Sequence, residues 1–423
     1  MDTIFSIVSI ASAIVGLISF FMLKGKPSKI IGVAALVVST IFVGINKMID
    51  GPAASNQIVE TETVQSETMQ PTVYGDSYSN AKAMSIDTPF KARFDINQSK
   101  REEHWYYFDA NEDMFFNIDL SGSKDMLLEI CLYDASGKKE LVSEEGSDKI
   151  ISLSYPLQKG RFYIKITSNI SGIYDVAPSK AISGYLNEES DEGNDTYQTP
   201  SSITLNQAQN GHIGYCSDSG IIDETDYFRF DLQTPTIINA SLVADNPLDI
   251  NMSLLCKDGD KVITHDNGRN KMLNFEQALQ EGTYYMRLSK LDGYGGYNLS
   301  VKTSTPNNAS DEEPNNSYQE AKRLATPTYG QIGFVDQTNT RDTEDWYLIH
   351  VASTSLTISL KPISATSSIR AALMDYTASD TIKSAGASDE IVTYQVEELS
   401  PGDYYIRVYG DGNGYGCYEL SVQ

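Results

Sequence analysis

The chain repeats one motif, Gly-(Thr/Asp)-Tyr-Tyr-(Met/Ile)-Arg, followed by a Gly/Tyr-rich turn and a short apolar segment. The motif is complete at residues 282–287 and 402–407 and weaker at residues 160–165. A second motif, an aromatic pair flanked by charged side chains, precedes each copy, at residues 101–108, 223–230 and 342–349. Two motifs in a fixed order predict three tandem copies of one domain of roughly 110 residues.

The pattern inside each repeat predicts β-strands. Short alternating runs follow the aromatic motif, at residues 115–120, 237–242 and 356–360, and they end in turn sequences rich in Gly and Asp. Many short strands at this domain length predict an all-β fold of three tandem β-sandwich domains of jelly-roll-like type. Trp105 and Trp346 occupy one repeat position, which we interpret as a core site.

The first 50 residues contain two apolar runs, 4–23 and 30–45, separated by the lysine-rich turn 24–29. These runs predict two transmembrane α-helices, and their close succession favours a helical hairpin over a cleaved signal peptide. The lysines favour a cytoplasmic turn, so residues 51–423 are predicted to be extracytoplasmic, periplasmic or at the cell surface. The hairpin implies a membrane location and allows a membrane-protein partner.

The domain organisation follows from the repeats and the linker composition. It comprises a transmembrane hairpin (1–50), a disordered acidic linker (51–73), a degenerate first β-sandwich (74–178), a second (188–303) and a third (309–423). Each repeat carries its own set of strands, so each is expected to fold alone.

The charge balance disfavours two classes of partner, nucleic acid and anionic lipid. Residues 51–423 carry 28 Lys and Arg against 55 Asp and Glu. Such an acidic surface repels nucleic acid and anionic lipid, and it suits cation binding or solubility.

Cysteines are distributed one, two and one over the repeats, as Cys131, Cys216, Cys256 and Cys417. A disulfide framework would repeat with the domains, so buried thiols are predicted, with a Cys216–Cys256 bridge as the alternative. We align Cys256 with two leucines, at 132 and 373, in an apolar-x-Asp strand end, which favours a core role.

Oxygen-rich side chains cluster at two places in the second and third repeats. Residues 311–316 precede 342–345 in the third repeat, and residues 192–195 precede 223–226 in the second. Ca²⁺ takes six to eight oxygen ligands, whereas the absence of His and Cys from both clusters disfavours transition metals. The alternative is that these residues mark only a linker and a turn before a strand.

Together, these motifs resemble the bacterial pre-peptidase C-terminal domain, whose relatives include the collagen-binding domains of clostridial collagenases. The matching pattern is Glu-x-Asn-(Asp/Asn), then Asp-x-x-Asp-(Trp/Tyr), then Gly-x-Tyr-Tyr, then Gly-x-Tyr-x-Leu-x-Val, and it covers about residues 74–423. The resemblance implies a jelly-roll β-sandwich of a kind usually appended to secreted proteases. Some members bind Ca²⁺ at the linker that precedes the sandwich.

The resemblance implies Ca²⁺ ligands in the second and third repeats. In the third they are Asp311, Glu313, Asn315, Asn316, Asp342 and Asp345, and in the second Glu192, Asn194, Asp195, Asp223 and Asp226. It also places Tyr409 near a tyrosine of the collagen-binding surface.

The first repeat departs from the family pattern. Val73 and Gly75 stand where Glu and Asn are expected, which leaves Asp76 alone, and Arg101 and His104 replace the two aspartates. A cation there would meet an arginine and an imidazole, so no calcium site is predicted in this copy.

No catalytic motif of the His-Glu-x-x-His, Gly-x-Ser-x-Gly or Walker type occurs, so the chain is predicted not to be an enzyme. The favoured function is a membrane-anchored, exported, non-catalytic binding or adhesion module with Ca²⁺-stabilised repeats, which recognises a polysaccharide, an envelope component or an extracellular protein. The alternative is a structural, accessory or sensor subunit of a membrane complex, including a form whose cytoplasmic repeats regulate membrane-disrupting helices.

Overall fold

A computed structural model describes residues 74–96, 102–147, 150–181, 193–245, 247–268, 272–306, 312–410 and 412–423. Residues 70–423 form one compact unit. Regular structure in the described residues is β-strand, apart from one 3-10 turn at Tyr78–Asn80. The all-β class of the repeats is therefore confirmed.

The two predicted transmembrane helices are not supported, and the fold class that includes them is wrong. In the part of the chain that the structure describes, no helix is long and apolar enough to cross a membrane. The apolar runs 4–23 and 30–45, and the acidic linker, lie outside the described residues. Apolar composition indicates that a segment avoids water, but it does not establish which structure the segment adopts.

The first sandwich contains nine strands in two sheets. They are Lys82–Ala83 (β1), Phe90–Phe94 (β2), Glu103–Ala110 (β3), Met114–Gly122 (β4), Leu127–Tyr133 (β5), Glu140–Ser147 (β6), Ile151–Leu157 (β7), Gly160–Ser168 (β8) and Gly172–Ala181 (β9). The five-stranded sheet has the order β1-β3-β8-β5-β6, and the four-stranded sheet has the order β2-β9-β4-β7. Only the short β1 pairs in parallel, with β3; the other pairs are antiparallel.

The second and third sandwiches repeat this topology. The second contains Ser201–Ser202 (β10), Ala208–Ile213 (β11), Thr225–Leu232 (β12), Thr236–Ala244 (β13), Asp249–Leu255 (β14), Val262–Gly268 (β15), Met272–Leu279 (β16), Gly282–Asp292 (β17) and Gly295–Ser304 (β18). The third contains Lys322–Arg323 (β19), Thr328–Ile332 (β20), Glu344–Val351 (β21), Leu356–Ala365 (β22), Ile369–Met374 (β23), Thr381–Ala387 (β24), Val392–Val396 (β25), Gly402–Gly410 (β26) and Gly416–Val422 (β27). The sheet orders are β10-β12-β17-β14-β15 with β11-β18-β13-β16, and β19-β21-β26-β23-β24 with β20-β27-β22-β25.

Alternation of apolar and polar residues produces the core of each sandwich. Strand β4, for example, buries every second residue from Met114 to Leu120 because successive side chains of a strand point to opposite faces. The rings of Phe108 and Phe116 stack in the first core, with centroids 4.2 Å apart. Three separate apolar cores of this kind lie between the paired sheets.

The two tryptophans are buried, but outside these cores. Trp105 and Trp346 lie on the outer face of the five-stranded sheets, in small clusters that include residues of the segment preceding each sandwich. The backbone of Gly75 pairs with that of Trp105. The backbone N–H of Trp346 donates to the backbone carbonyl of Asn315 (2.8 Å). The entry segment therefore covers one side of each tryptophan.

All four cysteines are free and buried, so the Cys216–Cys256 bridge is absent. The alignment of Cys256 with two leucines is wrong. A bulge follows Leu132 in the first sandwich and Leu254 in the second, so Leu254 is the counterpart of Leu132. Cys256 therefore occupies the turn position of Asp134, and both residues donate their N–H to the carbonyl of the lysine five residues later (3.0 Å). Cys256 replaces the turn aspartate of the first sandwich, and matching Asp258 to Asp134 therefore displaced the sequence alignment by two residues.

Candidate functional site

The carboxylates of the third sandwich converge beside β21. Glu313 lies before β19, Asp342 lies two residues before β21, and Asp345 is the second residue of β21. One oxygen from each of these three carboxylates lies within 4.8 Å of the other two. Within the described residues, this is the group of acidic, His or Cys side chains that can hold a metal ion. Asp311, the sixth predicted ligand, lies outside the described residues.

Two asparagines complete what we call the oxygen cluster, defined as Glu313, Asn315, Asn316, Asp342 and Asp345. Asn315 is fully buried, and the side-chain amide oxygens of both asparagines face only hydrogen-bond acceptors. Rotated amides would donate from Asn315 to Asp345 Oδ1 (2.9 Å) and from Asn316 to Asp342 Oδ1 (2.6 Å). A cation among these oxygens would satisfy the unrotated amides equally well, because amide orientation is assigned from its surroundings.

Tyrosine hydroxyls support the buried carboxylate of the cluster. Asp345 has no exposed surface and accepts a short hydrogen bond from the hydroxyl of Tyr418. The hydroxyl of Tyr418 also lies 2.7 Å from that of Tyr347. Sequence reasoning missed both tyrosines, although Tyr418 follows the Gly-rich turn of the final strand in the repeat motif.

Glu313 is the exposed carboxylate of the oxygen cluster, and its pKa is shifted. Much of the residue is exposed, but burial of the carboxyl group raises its pKa, and the Asn315 N–H opposes this by donating to it (3.1 Å). A raised pKa disfavours the charged form in the absence of a compensating positive charge.

The second sandwich holds the same partners around its buried aspartate. Tyr297 donates to Asp226 Oδ2 (2.6 Å), as Tyr418 does to Asp345. Tyr227 donates its N–H to the carbonyl of Asn194 (2.8 Å), and both Asp226 and Asp223 are buried. Asp195 is exposed, and Glu192 lies outside the described residues.

The first sandwich replaces the aspartate with a buried histidine. The imidazole of His104 stacks between Tyr74 and Phe94, with ring centroids 3.5 and 3.9 Å away, and its Nδ1 lies 2.6 Å from the hydroxyl of Tyr174. Burial lowers the pKa of His104 to about 4, against the opposing effect of Glu102. Asp76 instead accepts from the Asn80 amide in a local turn. Val73 and Arg101 lie outside the described residues.

The donor set of the third sandwich fits a hard cation. It consists of three carboxylates and two amides, all oxygen donors, and Ca²⁺ and Mg²⁺ prefer such ligands. The larger and more flexible coordination of Ca²⁺ suits side chains drawn from two chain segments, one before β19 and one at the start of β21.

A second recurring feature is a half-exposed tyrosine beside each buried aromatic cluster. Tyr78 contacts Trp105 edge-on (centroids 6.2 Å apart), Tyr197 contacts Tyr285 (6.3 Å) and Tyr318 contacts Trp346 (6.2 Å). The exposed fractions of these tyrosines are 37%, 37% and 43%. We call Tyr78, Tyr197 and Tyr318 the surface tyrosines.

A basic side chain borders the same aromatic clusters in two sandwiches. Lys165 lies 6.0 Å from the ring centroid of Trp105, and Arg407 lies 5.6 Å from that of Trp346 and 4.6 Å from that of Tyr409. The sequence contains the surface tyrosines as (Asp/Asn)-(Ser/Thr)-Tyr in every repeat, a signal that sequence reasoning left unused.

Comparison with solved structures finds similar proteins at low sequence identity. The pre-peptidase C-terminal domain of a collagenase from Bacillus anthracis is 22% identical, with a TM-score of 0.22, over 24% of this chain and 94% of that chain. The N-terminal CBM22 tandem domain of Xyn10C from Paenibacillus barcinonensis is 8% identical, with a TM-score of 0.16, over 52% of this chain and 92% of that chain. The PBSX exported protein XepA is 9% identical, with a TM-score of 0.18, over 52% and 88%. No family model and no curated protein matches the chain.

Proposed function

We propose that the chain is a non-catalytic binding module whose three sandwiches hold one extended extracellular polymer, with polysaccharide as the favoured ligand class. The observation that carries this proposal is the recurrence of a half-exposed tyrosine, backed by a second aromatic residue, at the same position of all three sandwiches.

The chemistry of the surface tyrosines suits sugar rings. An exposed aromatic ring offers an apolar face, while the phenolic hydroxyl and the adjacent Lys165 or Arg407 offer polar contacts to the same ligand. Packing against Trp105, Tyr285 or Trp346 restrains each ring, which lowers the entropy lost on binding.

Tandem repetition favours a repetitive ligand. One half-exposed ring supports only weak binding, but linked copies convert later contacts into intramolecular events and raise the overall affinity by about 10²–10⁴-fold. A polysaccharide offers many equivalent sites along one strand, and an extended fibrous protein is the second ligand class with this property.

Retention of residues 70–423 on insoluble polysaccharides tests the proposal. Wild-type protein is expected to co-sediment with at least one polysaccharide, and the triple variant Tyr78→Ala, Tyr197→Ala, Tyr318→Ala should lose retention. Ile173→Ala and Met272→Ala are matched controls, because both remove exposed apolar side chains from four-stranded sheets. Retention on fibrous collagen alone would favour the protein ligand, and equal retention of the triple variant would refute the role of the tyrosines.

We also propose Ca²⁺ as a structural ion of the second and third sandwiches. The support is the oxygen cluster, in which one oxygen from each of three carboxylates lies within 4.8 Å of the other two and the amide oxygens of two asparagines face only hydrogen-bond acceptors. In the second sandwich, buried Asp223 and Asp226 occupy corresponding positions. Close carboxylates repel one another, and a bound cation relieves that repulsion.

An extracytoplasmic location of residues 51–423 accords with this ion. Modules that work outside the cell bind Ca²⁺ with dissociation constants of about 10⁻⁴–10⁻³ M, which suits calcium levels there. Labelling of an engineered Ser55→Cys by an impermeant reagent on intact cells should succeed. Labelling only after cell lysis would assign the sandwiches to the cytoplasm and favour the accessory-subunit alternative.

A further inference from the structure

A hairpin of the third sandwich pairs with the second sandwich. Residues 333–342, between β20 and β21, place Val335 beside Leu279, where Val335 donates its N–H to the Ala278 carbonyl (3.0 Å) and accepts from the Gln280 N–H (2.9 Å). Val335 is 3% exposed and packs into the apolar core of the second sandwich. The core of one sandwich is thus completed by a residue of the next.

The joint between the first two sandwiches has the same geometry. Residues 214–223 place Cys216 beside Leu157, with Cys216 donating its N–H to the Pro156 carbonyl (3.0 Å) and accepting from the Gln158 N–H (2.9 Å). Cys216 packs into the first core. The two contacts between neighbouring sandwiches therefore share one backbone hydrogen-bond pattern.

The base of each hairpin is an aspartate of the proposed ion site. Gly333 donates its N–H to the Asp342 carbonyl (2.6 Å), and Asp342 donates its own N–H to the Phe334 carbonyl (2.9 Å). The side chain of Asp342 belongs to the oxygen cluster. In the second sandwich, Gly214 and Asp223 make the corresponding bond (2.9 Å). The backbone of this aspartate therefore closes the joint hairpin while its side chain faces the ion site.

We propose that cation occupancy of the oxygen cluster controls the joint with the preceding sandwich. This inference rests on the proposed Ca²⁺ site, but it concerns the hairpin between β20 and β21 and not the segment that precedes the sandwich. A cation stabilises only conformations that keep Glu313, Asp342 and Asp345 together, and these conformations hold the hairpin base closed. With the cation, the second and third sandwiches form one rigid body; without it, carboxylate repulsion loosens the hairpin and the joint becomes a hinge.

Distance measurements between spin labels test the joint in the full chain. Labels at Met272→Cys in the second sandwich and Ile391→Cys in the third occupy sites that are 66% and 60% exposed, whereas the native cysteines are buried. Millimolar Ca²⁺ is expected to narrow the distance distribution about two-fold relative to chelator, because one conformation is then selected. Glu313→Gln should lose this response, and Glu312→Gln should keep it.

Calorimetry on the same samples separates two kinds of failure. Bound Ca²⁺ with an unchanged distance distribution overturns the joint inference and leaves the ion site intact. No bound Ca²⁺ overturns the ion site, and the joint inference with it. Val335→Ser keeps the oxygen cluster and removes the side chain that enters the second core. This variant should bind Ca²⁺ normally but show a broad distribution of distances between the spin labels. A narrow distribution would show that the hairpin does not hold the joint rigid.

Discussion

The Nδ1 atom of His104 lies 2.6 Å from the hydroxyl of Tyr174, at the position where Asp226 of the second sandwich accepts a hydrogen bond from Tyr297. The first sandwich therefore keeps the tyrosine partner and exchanges a carboxylate for an aromatic base. The exchange removes a potential cation ligand and makes this sandwich sensitive to protons.

Acid is expected to destabilise the first sandwich through His104. Its pKa falls from 6.5 to about 4 on folding, so the unfolded chain binds the proton more tightly. The contribution of neutral His104 to the free energy of unfolding is fully present above pH 6.5. It is lost as the pH falls towards 4, and the loss reaches about 3 kcal/mol. Urea unfolding of wild type and His104→Gln across this range measures it. The variant should show a shallower pH dependence, and parallel curves would contradict the assignment.

Removal of the Tyr418 hydroxyl should destabilise the third sandwich. Tyr418→Phe leaves the buried carboxylate of Asp345 without this donor, at a cost of about 1–3 kcal/mol. Tyr404→Phe is the matched control, because its hydroxyl donates to the exposed carbonyl of Ser400 (2.9 Å). Denaturant melts should show a large loss of unfolding free energy for Tyr418→Phe and a small one for Tyr404→Phe. Equal losses would mean that the hydrogen bond to Asp345 contributes no more than the exposed bond to Ser400.

The apparent Ca²⁺ affinity of the third sandwich should fall in mild acid. Burial raises the pKa of Glu313, so protons compete for this ligand at a higher pH than for an ordinary glutamate. Calcium titrations at about pH 7 and about pH 5 measure the effect. Glu313→Gln should bind more weakly at both values with a smaller difference between them. An affinity independent of pH would exclude Glu313 from the site.

The second sandwich should lose stability when separated from the third. A fragment of residues 188–303 lacks Val335, whose side chain fills the second core, and loss of a buried valine costs about 1.5–3 kcal/mol. Thermal melts of 188–303 and 188–423 provide the comparison. The expectation that each repeat folds alone stays a prediction, now with a lower melting temperature for the isolated second repeat; identical melting would contradict the role of the joint.

Local sequence was sufficient to predict the repeats and the strands, and it marked the carboxylates that lie together in the third sandwich. The alternation of apolar and polar residues in β4 is a local signal. The spacing of Asp342 and Asp345, three residues apart, is local as well. The hairpin that carries Val335 into another sandwich was not predictable, because its contacts depend on the arrangement of two folded domains. The place of Cys256 was missed for a different reason: Cys256 stands where the first sandwich has Asp134, and Asp258, two residues later, was matched to that aspartate instead.

Calcium titration of residues 70–423, with melts in Ca²⁺ and in chelator, tests the oxygen cluster most directly. We expect two sites with dissociation constants of about 10⁻⁴ M and a stabilisation of about 1–2 kcal/mol at millimolar Ca²⁺ in the second and in the third sandwich. Asp345→Asn should remove one site and Asp226→Asn the other. No heat of binding, together with melts that are identical in Ca²⁺ and chelator, would show that the sandwiches bind no Ca²⁺ and that the clustered carboxylates are ordinary turn residues.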